Sequence, residues 1–324
     1  MPDQFPVQIC RICGSQNNAR WYKVKEMMFG FRDEFLYFQC VQCECLQIAK
    51  IPENIAKYYP GNYYSLRQDD TAKFSGIKGK LRSLSLSALV FNRSIFDKFI
   101  QQFYSSISLR VLRHLSVSRD TSILDVGSGS GHKFLYPLAE LNFRKIVGCD
   151  PFIEHDIEYP NGLKIYKSDI FSMEGKWDII TYHHVFEHVP DPLENLMKVN
   201  ELLTDEGICI LRMPTVSSFA WKHYKEHWVQ LDAPRHYFLH SIKSVQYLAN
   251  KVGMNLFKVE FDSNYKQFAD SERYLLNESL KTPRKKGLLN FLRRKIKKIR
   301  YKKMANKMNK MQSGDQAAFF LKKG

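Results

Sequence analysis

Residues Ile123-Leu124-Asp125-Val126-Gly127-Ser128-Gly129-Ser130-Gly131 run from an apolar stretch into three glycines at alternate positions, and Asp150 follows nineteen residues after the last glycine. An apolar run that meets glycine predicts a buried strand entering a tight turn. Glycine has no Cβ, so the backbone there can turn sharply and approach a ligand closely. Lys145 to Cys149 predicts a second strand, which ends on Asp150. An acid at that point of a strand–helix–strand unit is placed to accept two hydrogen bonds from a ribose diol. The spacing G-x-G-x-G departs from the G-x-G-x-x-G of dinucleotide folds, and no Gly-Lys-Ser/Thr follows to cradle phosphates. These residues point to a nucleoside-containing ligand.

The chain downstream repeats the alternation. Ile165 to Ile170 predicts a third strand, and Trp177 to Tyr182 a fourth that opens into His183-His184-Val185-Phe186-Glu187-His188-Val189-Pro190-Asp191-Pro192. A helix from Pro192 to Leu203 and a fifth strand from Gly207 to Pro214 follow. Ser241 reads as the N-cap of a helix ending near Val252-Gly253, Met254 to Phe261 as strand six, and Gln316 to Lys322 as a last strand paired antiparallel with it. Apolar strands separated by helical spacers predict an α/β fold with a sheet covered on both faces. The expected architecture is a Rossmann-like, seven-stranded sheet, mostly parallel, with an antiparallel terminal hairpin.

These segments, from residue 119 to about 265 and again at the C-terminus, resemble the class I S-adenosylmethionine-dependent methyltransferases. The resemblance implies that Asp125, Gly127, Gly129 and Gly131 carry the methionine end of the cofactor, and that Asp150 holds its ribose. It places Asp169 and Ile170 at the adenine, and the His183–Pro192 segment beside the transferring methyl group, with His184 facing the cofactor. Nucleic-acid amino-methyltransferases of this superfamily usually show an Asn/Asp-Pro-Pro-aromatic loop after strand four. His183-His184-Val185-Phe186 stands there instead, which argues against that reaction.

Five of the seven cysteines fall in the first 45 residues: Cys10, Cys13, Cys40, Cys43 and Cys45. Two C-x2-C knuckles, Cys10/Cys13 and Cys40/Cys43, predict a zinc ribbon over residues 1–48 with a structural, four-thiolate Zn2+. Four protein ligands leave no open position for chemistry, and the ion supplies folding energy that so small a ribbon cannot draw from a core. Cys45 can exchange with Cys43 in the ligand set, so that choice stays open.

Length allows a large domain beside a small one. Residues 49–118 read as a tyrosine-rich linker and a helical cap: Tyr58-Tyr59-Pro60-Gly61-Asn62-Tyr63-Tyr64 either packs a junction or closes over substrate. Residues 76–117 are expected to be helical, on the spacing of Ile95, Phe96, Phe99, Ile100 and Phe103. Residues 119–324 form the cofactor-binding domain. No run of eighteen apolar residues occurs and no secretory pattern opens the chain, so a cytoplasmic protein is expected.

The net charge of +16 is concentrated: residues 281–310 hold fourteen Lys/Arg and no Asp/Glu, which leaves +2 for the rest. Within this insertion, placed at 281–312, Leu288, Leu292, Ile296, Ile299, Met304, Met308 and Met311 fall near one helical stripe. A basic amphipathic helix over 284–311 suits peripheral contact with an anionic membrane at the inner surface. Nucleic acid is the less favoured partner, and packing of the stripe onto the body is the third reading.

Seven of the ten histidines leave strand four or lie between residues 223 and 240. An acceptor hydroxyl or carbon acid must lose a proton when methylated, and histidine titrates near neutrality. His236 is the expected base, Arg235 the anchor for an acceptor phosphate or carboxylate, and His184, His227 and Asp232 complete the catalytic candidates. A second metal bound by these histidines is the lesser reading, with His223/His227 as its pair. The run His227-Trp228-x-x-Leu231-Asp232-x-Pro234-Arg235-His236 resembles zinc-ribbon methyltransferases of bacterial sugar and surface-polysaccharide pathways. That resemblance implies a small-molecule acceptor, an activated or lipid-linked sugar. The alternatives are an RNA methyltransferase with a zinc-ribbon recognition module and a non-catalytic binding module on the same fold.

Overall fold

Short apolar runs become strands wherever both of their faces can be covered. The computed structural model describes residues 8–16, 19–60, 74–91, 106–284 and 286–324. In chain order the strands are β1 Arg20–Lys25, β2 Glu34–Gln39, β3 Leu46–Ile48, β4 Ile123–Val126, β5 Ile146–Cys149, β6 Ile157–Glu158, β7 Lys164–Tyr166, β8 Trp177–His183, β9 Leu203–Pro214, β10 Phe238–Leu239, β11 Met254–Phe261 and β12 Gln316–Lys323. The larger sheet has the order β11-β12-β9-β8-β4-β5-β7-β6. Two compact units are formed: residues 1–60, 186–194 and 212–319, and residues 61–185, 195–211 and 320–324.

In the second unit β4 lies between β5 and β8, parallel to both, with Asp125 opposite Gly148 and Thr181. All four residues of β4 are buried, which is why its sequence is a continuous apolar run broken only by Asp125. β5 is parallel to β7, and β6 pairs antiparallel at the edge. Among the described residues the sheet therefore has eight strands rather than the expected seven. The addition is β6, two residues long and too short to leave an apolar pattern.

The third strand stops at Tyr166, short of Ile170, because the Asp169 carboxylate accepts the N–H groups of Phe171 and Ser172 and caps a 3-10 turn. The fifth begins four residues early, at Leu203. Of the helix expected over 76–117, Gly76–Phe91 is helical and Leu109–His114 forms a 3-10 turn. Ile95, Phe96, Phe99, Ile100 and Phe103, like Tyr63 and Tyr64, lie outside the described residues.

In the first unit β1, β2 and β3 form an antiparallel sheet whose fourth strand is β10, with Phe238 opposite Gln47 and Leu239 opposite Leu46. Ser241 caps the helix Ile242–Lys251 in a reciprocal capping box with Ser244, each hydroxyl accepting the other's backbone N–H at 2.9 Å. The basic segment forms one helix, Leu288–Lys310. Its second half is seated: Tyr301 and Ala305 are buried, and the Tyr301 ring lies 5.7 Å from that of Phe268. Its first half is not, with Leu288 at 73% exposure and Ile296 at 68%. Among the described residues no helix is long and apolar enough to cross a membrane.

Candidate functional site

The glycine loop belongs to the second unit. Gly127, Gly129 and Gly131 have φ of 67°, 56° and 73°, a region that costs other residues energy. Gly127 N–H donates to the Cys149 carbonyl at 2.8 Å, tying the loop to the end of β5. Asp150 follows directly: its Oδ2 accepts the Gly129 N–H and its Oδ1 the Phe152 N–H, both at 2.8 Å. Each oxygen keeps acceptor capacity for a ligand. Burial pushes Asp150 up, and the two N–H groups oppose that rise. Asp125 accepts the Thr181 hydroxyl at 2.7 Å, and burial pushes it up to about 7 although that bond opposes the rise. These residues fit a nucleoside-bearing cofactor: a carboxylate held in place by two donors stands beside a backbone that only glycine follows cheaply.

At the end of β8, His184 itself takes a positive φ of 59°. The ring of His183 packs 4.4 Å from that of Phe134. Asp169 is exposed and engaged in its own cap, whereas Ile170 is buried.

Four cysteines converge in the first unit. Sγ of Cys10 lies 3.6 Å from that of Cys43, and Cys13 stands at the same distance from Cys40. Their ligand atoms lie within 4.8 Å of one another. Cys45 stands apart from this set, fully buried with its thiol on the Leu46 carbonyl. Gln47, on β3, donates to the Cys10 sulfur at 3.1 Å.

A second constellation in the same unit gathers His236, Arg235 and Asp232 with residues from distant parts of the chain. Arg235 has no exposed surface. Its Nε donates to Asp232 Oδ2, one Nη to Glu26 and the other to the Tyr58 carbonyl, each at 3.0 Å. Burial would lower Arg235, but the carboxylates of Asp232 and Glu26 hold it above its ordinary value. Conversely, burial would raise Asp232, and the charge of Arg235 holds it below. The expected anchor for an acceptor's phosphate is thus corrected: the guanidinium is consumed by internal partners and fixes the cluster.

Around it, His236 donates Nδ1–H to the Gln230 carbonyl at 2.8 Å. Its Nε2 then lies 3.8 Å from Asp232 Oδ2 and 3.9 Å from Glu187 Oε1. His188 donates Nδ1–H to the Arg235 carbonyl at 2.7 Å, and the Tyr59 hydroxyl lies 3.2 Å from the same nitrogen. The two imidazoles meet edge to face with centroids 4.8 Å apart. Burial first, and His236 second, lower the His188 pKa. Glu26 is fully buried and accepts three backbone N–H groups, from Phe29, Gly30 and Phe31, at 2.9 Å.

The structure separates some expected partners from this group. His227 is half-buried on a 3-10 turn, and among the described residues no hydrogen bond or ion pair joins it to His236. His223 stacks on Phe219 at 5.3 Å, and the His223/His227 pair gains no third ligand among the described residues. Tyr59 was read within the tyrosine-rich linker, whereas Glu26 went unread in the sequence because it sits in no motif. The lone signal for Glu26 was an acid inside an aromatic-rich stretch.

Comparison with known proteins matches residues 96–259, just over half of the chain, to a family described as "Methyltransferase domain". No curated protein matches the sequence. Among solved structures, a mycolic acid cyclopropane synthase complexed with SAH and CTAB is 15% identical, covers 75% of this chain and 95% of its own, and superposes with a TM-score of 0.41. A SAM-dependent methyltransferase of Thermotoga maritima is 17% identical over 75% of this chain and 100% of its own, with a TM-score of 0.42. An O-methyltransferase from a Brevibacillus brevis multienzyme is 13% identical over 74% of this chain and 79% of its own, at 0.40. On the family match, the chain belongs to the methyltransferase-domain family and is an S-adenosylmethionine-dependent methyltransferase.

Proposed function

We propose that the enzyme methylates a small-molecule acceptor, an activated or lipid-linked sugar of cell-surface polysaccharide synthesis, in the cytoplasm. Two observations support it: the Asp150 carboxylate braced beside the glycine loop, and the buried His236 cluster suited to taking a proton from a hydroxyl. The resemblance of the His227–His236 run supports a sugar as acceptor. When bound, S-adenosylmethionine supplies an electrophilic methyl group on a sulfonium. The protein's part is to hold and align: Asp150 takes the ribose hydroxyls, the loop from Gly127 to Gly131 accommodates the methionine end, and His236 accepts the acceptor's proton.

The test is direct. Asp150→Ala is expected to weaken S-adenosylhomocysteine binding at least tenfold by calorimetry, while His236→Ala abolishes methylation of a nucleotide-sugar panel and leaves that binding intact. Full turnover in His236→Ala would remove His236 from the chemistry, and methylation of RNA but no sugar would overturn the acceptor class.

The four-cysteine cluster is proposed to hold a structural zinc ion. Four thiolates at about 2.3 Å from a tetrahedral Zn2+ stand about 3.8 Å apart, close to the 3.6 Å of both cysteine pairs. The exposed first half of the helix Leu288–Lys310, apolar residues interleaved with Lys/Arg, is proposed to rest on an anionic lipid surface.

A further inference from the structure

We propose that Glu187, His188 and His236 bind a divalent transition-metal ion, with Asp232 at its border. One ligand atom from each of the three lies within 4.8 Å of the others. Both histidines are held in the same tautomer by a backbone carbonyl: Gln230 takes Nδ1–H of His236, and Arg235 takes that of His188. With Nδ1 committed to a carbonyl, Nε2 is the nitrogen each ring has left to offer a metal ion. That is the usual support for a metal-bound imidazole, in which the distal N–H is fixed by a carbonyl or carboxylate. Ligand atoms of an ion with bonds of about 2.1 Å stand about 3.4 Å apart. The His236–Glu187 separation of 3.9 Å needs to tighten by about 0.5 Å.

Charge argues in the same direction. Glu26 and Glu187 are fully buried and Asp232 nearly so; Arg235 pairs with Glu26 and Asp232, while Glu187 Oε1 lies 3.9 Å from His236 Nε2. A divalent cation here would add positive charge beside buried carboxylates, which are costly to bury. Two imidazoles and one carboxylate suit Zn2+, Fe2+, Co2+ or Mn2+ and leave coordination positions open, unlike the four-thiolate site. Open positions take an oxygen ligand, so the site favours an acceptor offering a hydroxyl, an enol or a vicinal diol. When the ion is bound, Nε2 of His236 is its ligand, so the direct proton-accepting role given to it above belongs to the ion-free protein. The ion's role in acceptor binding rests on the function proposed above, whereas its binding does not.

Chelator-stripped, full-length protein titrated with Co2+ tests this by absorption. The cysteine site announces itself by thiolate-to-cobalt charge transfer in the near ultraviolet, and the site proposed here by weak visible bands without it. The parent is expected to bind a second equivalent of this thiolate-free kind. His188→Ala and Glu187→Gln should each weaken it tenfold or more while the thiolate band survives. A parent with no such equivalent, or one retained at full affinity in both variants, overturns the proposal, and the parent's stoichiometry decides if neither variant folds. Calorimetry with S-adenosylhomocysteine on the same samples reports separately on the methyl-transfer reading. Cofactor binding without the second cobalt sinks the ion site alone, and the converse sinks the other.

Discussion

A β-carbon built on Gly127 would stand 2.5 Å from Cγ2 of Val185. Glycine at this position is therefore required twice, by its φ of 67° and by the side chain lying against it. Gly162, with φ of 85° and open space where its Cβ would be, carries the first requirement alone. Gly127→Ala should cost about 2–4 kcal/mol and Gly162→Ala about 1 kcal/mol in urea unfolding. Equal costs for the two would show that Val185 yields freely.

Arg235→Ala should destabilise the protein by about 3–5 kcal/mol, because Glu26 and Asp232 lose their shared counter-charge inside the fold. A residue that bound substrate would instead raise KM and leave the melting temperature alone. Thermal unfolding beside steady-state kinetics distinguishes the two.

Asp315 is fully buried, and burial pushes its pKa from 3.8 up to about 7, with the Trp228 indole N–H and Ser263 opposing part of the rise. The native state then binds more protons than the unfolded state between those values. Stability contributed by the protonated group is present below pH 4 and lost as pH rises toward 7, by up to about 4 kcal/mol. Asp315→Asn should remove that falling slope from a stability–pH profile. An unchanged slope would assign it to other groups.

Leu292→Ser with Ile296→Ser should weaken binding to phosphatidylserine vesicles by more than tenfold, since each change removes about 1.5 kcal/mol or more of apolar burial. Binding of the parent should fall with added salt. Flotation that is the same for parent and double variant would show that charge alone makes the contact.

The strands around the glycine loop were legible because each of their signals is local. Glycines at alternate positions, apolar runs and an acid at a strand end report their structure within a few residues, and β4, β5, β8 and β11 fall where expected. The His236 cluster was legible only in part. Asp232, Arg235 and His236 stand in one run, but Glu26, Tyr58 and Tyr59 come from the first 60 residues and Glu187 and His188 from the turn after β8. Sequence spacing carries no record of such closures. Arg235 was misread for the same reason: without Glu26 in view, a buried arginine and a substrate-binding one look alike.

The strand pairing of Leu239 with Leu46 ties the cysteine knuckles to a segment almost two hundred residues downstream. The four-cysteine segment is no removable bead. A fragment cut after residue 48 would present a bare β3 edge to any neighbour, and a truncated enzyme lacking it would leave β10 without its ladder to β3. The cysteine-bearing sheet therefore cannot complete its fourth strand until residue 239 has been made.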